Sequence, residues 1–218
     1  MVIARASSPV HPAQPPNGNA STVRYVGADT VVEMGGQTAY VYNVAQGTLR
    51  KVSLMRDGRR HISRFLCPGD FFGFMDAPES AHSVEAISDV TLVRYSRLNF
   101  DALMARDPAL RHRILASMSD ELAAMQEQLL LLGRKNARER TAAFLLTMAN
   151  REPQGRYSRE FDLQMSRADI ADHLGLTIET VSRVLTRLRK RRIIGLPSSK
   201  HIVLLKRRAL EAIGAGAI

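Results

Sequence analysis

Two short runs of helical spacing, separated by one glycine and each opened by a hydroxyl residue, restrict what Ser166–Arg192 can fold into: SRADIADHLGLTIETVSRVLTRLRKRR. Ser166 followed three residues on by Asp169 is an S-x-x-D start, and it opens a helix with Ile170, Ala171 and Leu174 turned inward. Gly175 supplies the turn, Thr177 is a second N-cap, and the helix from Ile178 turns Val181, Val184, Leu185 and Leu188 inward. Helices joined this tightly make a helix-turn-helix. Plain core hairpins share the pattern, so the placement of charge has to decide between them. The formal net charge is +10 over 218 residues; Lys and Arg against Asp and Glu number 13 and 13 in residues 1–133, but 18 and 8 in residues 134–218. The whole excess therefore lies in the last 85 residues, as expected of a neutral regulatory or assembly module joined to one that binds a polyanion.

With Val181 and Val184 turned inward, the exposed first turns of the second helix carry Glu179, Ser182 and Arg183. These residue types read base edges in a major groove: arginine is bidentate to guanine O6 and N7, and glutamate accepts from cytosine N4. An i,i+4 salt bridge between Glu179 and Arg183 on a solvated face is a second reading, compatible with the first. Thr177, Thr180 and Arg167 are placed for phosphates at helix starts. The runs IIGL and HIVLL that follow are expected to pair as a hairpin around Ser198, Ser199 and Lys200, forming a wing. Lys200 at its tip and Arg187, Arg189 and Lys190 on the preceding helix would then serve the phosphate backbone.

Ahead of this region, residues 1–22 are rich in Pro, Ala, Asn and Ser without periodicity and are expected to be disordered. From Val23 to about Tyr95, short strand-like runs (AYVYNV, LRKVSLM, HISRFL, SVEAI, VTLVRY) alternate with turn signals such as Asp57-Gly58, arguing a small antiparallel barrel or sandwich. Helical spacing begins after Ser96, and a long helix follows the break at Asp107-Pro108. Within it Leu115, Met118, Leu122, Met125, Leu129 and Leu132 step by 3, 4, 3, 4 and 3, a heptad seam suited to pairing with a second copy. Gly133 is the expected end of that helix and the boundary between modules. A second helix then has Ala142, Phe144, Leu145 and Met148 on its apolar side.

Cys67 is the one cysteine, so the chain's own cysteines can form neither an intrachain disulfide nor a cysteine-held iron–sulfur cluster. The six histidines are scattered without metal-ligand spacing, and no 18-residue apolar segment or signal-peptide run occurs, which makes the cytoplasm the expected compartment and a membrane no expected partner. The basic half shows neither a carboxylate cluster for divalent metal nor a nucleophile with its base, so no enzymatic function is expected.

The run MSRADIADHLGLTIETVSRVLTRL resembles the helix-turn-helix of the Crp/Fnr superfamily of bacterial transcription regulators, and most of all its FixK/Fnr branch. The stretch GGQTAYVYNVAQGTLRKVSLMRDGRRHISRFLCPGDFFGF is similar to that family's cyclic-nucleotide-binding-type β-roll, with Gly47, Gly58, Pro68, Gly69 and Gly73 at its turns. The resemblance implies an α+β chain: a disordered tail (1–22), an antiparallel β-roll (23–108), a dimerisation helix (109–133) and a winged helix-turn-helix (134–218). It also implies a homodimer on double-stranded DNA. Glu179, Ser182 and Arg183 match the branch's E-x-x-S-R, so a palindrome of the type TTGAT-N4-ATCAA is the expected site, read by an activator of low-oxygen or nitrogen-related genes. RNA polymerase is the expected partner, met either through the loop near Asp76 to Ser83, a surface used for activation in similar proteins, or elsewhere.

Departures from the family bear on mechanism. The cAMP-responsive branch holds the cyclic phosphate with a glutamate and an Arg-Ser pair; here Phe74 stands where the glutamate would fall and Ser80-Ala81 nearest the Arg-Ser. No arginine or lysine lies between Arg64 and Arg94, so a buried phosphate would lack its cation and cAMP binding is not expected. Ile178 replaces the arginine of the cAMP branch, tilting recognition away from TGTGA-type half-sites. An alternative is a roll gated by an unidentified effector or by haem on His61 or His82, and Cys67 near Arg64 is a further possible redox site.

Overall fold

The computed structural model describes residues 20–34, 40–73, 82–151 and 159–217. They fall into two compact units, one ending at Ala123 and the other running from Ala124. The first holds eight described strands: β1 (Ala20–Tyr25), β2 (Val31–Met34), β3 (Tyr40–Gln46), β4 (Leu49–Leu54), β5 (Arg60–Leu66), β6 (Phe71–Phe72), β7 (His82–Ala86) and β8 (Val90–Ser96). They pair antiparallel in two four-stranded sheets, ordered β1-β8-β3-β6 and β2-β7-β4-β5. The strand-like runs of the sequence all become strands. One correction concerns the tail: Ala20, Ser21 and Thr22 lie in β1, paired with Tyr95, Arg94 and Val93, because their backbone completes the edge of β8.

Between the sheets lie Val44, Leu49, Leu66, Phe72, Val84, Ala86, Val90 and Leu92. The other face of the β3–β8 pair is also apolar, and on it pack Phe100 of α1 (Arg97–Arg106) and Leu110 and Ile114 of α2 (Pro108–Arg134). Covering on both sides explains why YVYNV in β3 is an almost unbroken buried run rather than an alternation. The tight β3–β4 connection depends on Gly47: φ is +87°, and a Cβ there would stand 2.2 Å from the Asp89 carbonyl oxygen.

Ser96 caps α1 by accepting from the Asn99 N–H. Asp107 accepts from the N–H groups of Ala109 and Leu110 at 2.9 and 3.0 Å, while Pro108 occupies the first helical position, where its missing donor costs nothing. Two stripes run along α2. Leu110 and Ile114 face the sheet, joined by Met118, which half-buries against the same cluster; Leu115, Leu122, Met125 and Leu129 are exposed, Leu122 at 58% and Leu129 at 73%. Met118 thus serves its own unit as well as lying on the heptad seam; the side chain of Leu132 lies outside the described residues. Gly133 does not end the helix. α2 runs on to Arg134, and the break comes at Asn136, which caps α3 (Ala137–Asn150) through a reciprocal capping box with Glu139. Two internal N–H groups satisfied by Asn136 outweigh one glycine in placing the interruption.

Phe74, Ser80 and Ala81 lie outside the described residues, as does most of the loop from Asp76 to Ser83. His61 and His82 are the cross-strand neighbours of Ser53, one on each side. Among the described residues no three His, Cys, Asp or Glu side chains gather as a metal site, and no helix is long and apolar enough to cross a membrane.

Candidate nucleic-acid interface

The second unit is built on α3, α4 (Arg167–Leu174), α5 (Ile178–Lys190) and α6 (Arg207–Gly214), with a three-stranded sheet ordered β10 (Ile194–Gly195), β11 (His201–Leu204), β9 (Glu160–Asp162). α4 starts as its sequence predicts. Ser166 Oγ accepts from the Asp169 N–H at 3.1 Å, and Asp169, 4% exposed, accepts from the Ser166 N–H at 2.9 Å. Gly175 ends the helix in the left-handed region, φ 61° and ψ 42°. Thr177 then caps α5 by accepting from the Thr180 N–H at 3.2 Å. Val181, Val184, Leu185 and Leu188 are all buried, each contributing about 1.5–3 kcal/mol of apolar burial. That burial fixes the helix's rotation, leaving Glu179, Ser182 and Arg183 exposed together on its opposite face.

Along that face Ser182, Arg183, Thr186, Arg187 and Lys190 line one shallow groove. Thr186 was not singled out from the sequence; its place one turn beyond Ser182 is the signal that would have found it. Ile178 begins α5 exposed at 47%. Arg183 donates to the Thr180 hydroxyl at 3.4 Å, a weak tie that leaves the guanidinium on the outer face. Glu179 is held below the usual carboxylate range first by its own backbone N–H, next by the Thr177 hydroxyl, and least by the charge of Arg183. The i,i+4 pair is thus a minor influence on a carboxylate kept ionised as an acceptor.

β10 and β11 pair as Ile194↔Leu204 and Gly195↔Val203, so the expected wing is present, with Ser198, Ser199 and Lys200 exposed at its tip. The body of the unit grips this tip. The Leu163 N–H donates to the Lys200 carbonyl at 2.8 Å, and Arg167 Nη2 donates to the Ser199 carbonyl at 2.8 Å. Thr177 and Thr180 stand at the start of α5, Arg187 lines the groove with Ser182 and Arg183, and Lys200 is on the wing, whereas Arg167 bonds the wing. Strand β9 was not foreseen: three residues, Glu160–Asp162, are too few to show a period, and only pairing with His201–Val203 makes them a strand.

That pairing carries a titratable clasp. His201 Nδ1 lies 2.8 Å from Asp162 Oδ1, and Nε2 lies 3.8 Å from Glu160 Oε2. The Asp162 hydrogen bond is the main cause that raises the imidazole above its ordinary 6.5. A raised folded-state pKa means the clasp contributes in full below the unfolded value and is lost as pH climbs through the folded one. We expect the His201 ring resonance, followed by NMR, to titrate above 6.5 and to move back down in Asp162→Asn; a midpoint below 6.5 in the unaltered protein would refute the clasp.

The carbonyls at the end of α4, which lack helical partners, are also taken. Gln128 of α2 donates to the His173 carbonyl at 3.1 Å, and Arg140 of α3 to the Leu174 carbonyl at 3.0 Å.

Comparison with known proteins matches both units. Residues 22–107 match the cyclic nucleotide-binding domain and residues 139–213 the Crp-like helix-turn-helix domain. The chain is 47% identical over 175 residues to the nitrogen fixation regulation protein FixK of Azorhizobium caulinodans, covering 79% of this chain and 71% of that one. It is 35% identical to the transcriptional activator protein FnrL of Cereibacter sphaeroides, over 87% and 79% of the two chains. Among solved structures, FixK2 from Bradyrhizobium japonicum superposes with a TM-score of 0.79 at 37% identity, covering 89% of this chain and 96% of that one.

Proposed function

Because the chain belongs to the Crp/Fnr family of DNA-binding transcription regulators, with FixK and FnrL among its relatives, we propose that it binds a palindrome of the type TTGAT-N4-ATCAA as a homodimer. The observation that carries this reading is the single exposed face of α5 on which Glu179, Ser182 and Arg183 stand while the opposite face is core. Arg183 takes guanine, Glu179 takes cytosine N4, and Ser182 lies between them. Thr177, Thr180, Arg187 and Lys200 serve the phosphates that fix register. The exposed stripe Leu115, Leu122, Met125 and Leu129 supports pairing of two α2 helices, which sets two recognition helices about one DNA turn apart. The relatives' names, a nitrogen fixation regulation protein and a transcriptional activator, support activation of nitrogen-fixation or low-oxygen genes; an activator of this kind works in the cytoplasm with RNA polymerase as its partner.

No effector is part of this reading. Under β5 and β6 the described residues Lys51, Arg64, Leu66, Phe71, Phe72, Gly73 and Glu121 line a cleft of about 20 Å³, room for about one water. The arginine that would meet an anion there is already engaged: Arg64 bonds Asp70 at 3.1 Å and Glu121 at 2.8 Å. We expect fluorescence anisotropy of the full chain, at near-physiological salt and in air, to show tight preference for the TTGAT palindrome over a scrambled duplex, unchanged by cAMP. Equal weak binding to both duplexes, sharpened by cAMP, would overturn the reading.

A further inference from the structure

Arg167 stands at the first position of α4, immediately after its cap, where a cation is well placed to meet a phosphate. Its geometry is different. Nη2 is committed to the Ser199 carbonyl at 2.8 Å, and Nη1 is enclosed by protein, without a hydrogen-bond partner. Burial also pulls this guanidinium below the usual arginine value. With one Nη2–H spent on the wing and both hydrogens of Nη1 sealed from solvent, two of its five N–H groups remain, on Nε and Nη2, and the fork that carries them is already aimed at the wing. What it does hold is the wing. Ser199 precedes Lys200, whose own carbonyl is gripped from the other side by the Leu163 N–H, and Ser198 Oγ accepts from the N–H groups of Lys200 and His201 at 3.3 and 3.0 Å. The tip is therefore a short turn clamped between the start of α4 and the segment leading out of β9, with Lys200 exposed at its β11 end.

We propose that Arg167 is a positioning residue: it braces the wing so that Lys200 meets the DNA backbone, and it makes no phosphate contact of its own. The inference rests on the reading of the second unit as a DNA-binding winged helix-turn-helix. Its consequence is non-additivity, since two residues that act through one contact cannot lose that contact twice.

The test is a double-mutant cycle on the full chain, Arg167→Ala and Lys200→Ala singly and together, with anisotropy of a labelled TTGAT duplex measured across a salt series. The expected result is that each single variant weakens binding about 5- to 10-fold near 0.15 M salt and lowers the log–log salt slope by about 0.9 per subunit, the value for one phosphate. The double variant should match the singles. A double variant that shows the product of the two losses, with about twice the fall in slope, would mean that Arg167 holds a phosphate itself. A Lys200→Ala variant with an unchanged slope would mean that the wing tip touches none; either overturns the proposal. Arg167→Gln keeps a donor for the Ser199 carbonyl without the charge, and it should bind within about twofold of the unaltered protein, whereas a bare phosphate contact would make it as weak as alanine. If the unaltered protein fails to distinguish palindrome from scrambled duplex, the function reading fails; the cycle still reports on Arg167, because the salt slope is measurable on any duplex.

Discussion

Replacing Arg183 with alanine is expected to lower affinity for the TTGAT palindrome by about 1–3 kcal/mol, a factor of about 5 to 150, and to leave the scrambled duplex nearly unchanged. The asymmetry follows from where the side chain sits. Arg183 is exposed on the outer face of α5, its one described tie a 3.4 Å hydrogen bond to Thr180, so its removal costs the fold little. Bound to DNA, its planar fork matches the two acceptors of guanine, and a lysine cannot reproduce that bidentate geometry. Competition anisotropy with both duplexes checks the result. Equal weakening on both would show that Arg183 serves the backbone and not the bases, and Arg183→Lys should recover charge-driven binding but not the preference.

A larger effect is expected from the seam on α2. Leu122→Glu combined with Leu129→Glu replaces two apolar side chains that a single chain leaves 58% and 73% exposed, so each unit should keep its fold. Facing a second copy, four glutamates would instead lie along the pairing stripe, buried and of like charge. The variant should sediment as a monomer. Specific sites bind dimeric regulators about 10³ to 10⁷ more tightly than random DNA, and one half-site retains about the square root of that ratio, so the palindrome should be bound about 30- to 3,000-fold less tightly. A variant that stays dimeric in sedimentation would place the interface elsewhere.

Much of this was legible in the residues. Ser166, Asp169, Gly175 and Thr177 are each local signals, and the structure uses each for the cap or turn that its type predicts, because the groups that satisfy them lie within four residues. Five strands of the first unit, β3, β4, β5, β7 and β8, were readable for a related reason: turns such as Asp57-Gly58 are encoded where they occur. What escaped was decided at long range. β9 exists through its pairing with β11, Ala20–Thr22 are strand through theirs with β8, and α6 is secured by packing against α3. Gly133 misled because a glycine is only permission to end a helix, whereas Asn136 and Glu139 supply the bonds that do so. Arg167 shows the same limit, since its position suggests a phosphate and nothing near it in the chain announces its bond to the Ser199 carbonyl, 32 residues away.

Four of the ties that hold the recognition parts in place share one trait. Arg167 ends on the carbonyl of Ser199, the Leu163 N–H on that of Lys200, Gln128 on that of His173 and Arg140 on that of Leu174. Every acceptor belongs to the main chain, which any residue at those positions provides. The side chains of Ser199 and Lys200 can therefore drift, while Ser198, whose Oγ accepts from two N–H groups of the tip, is held; those on the outer face of α5, which take no part in these four ties, can drift with them. Descendants of such a protein can acquire new target sequences by a few surface exchanges without first passing through an unstable intermediate. A laboratory that randomises the outward positions of α5 and the wing tip should recover folded proteins in most of its library, with the diversity concentrated in which promoters they choose.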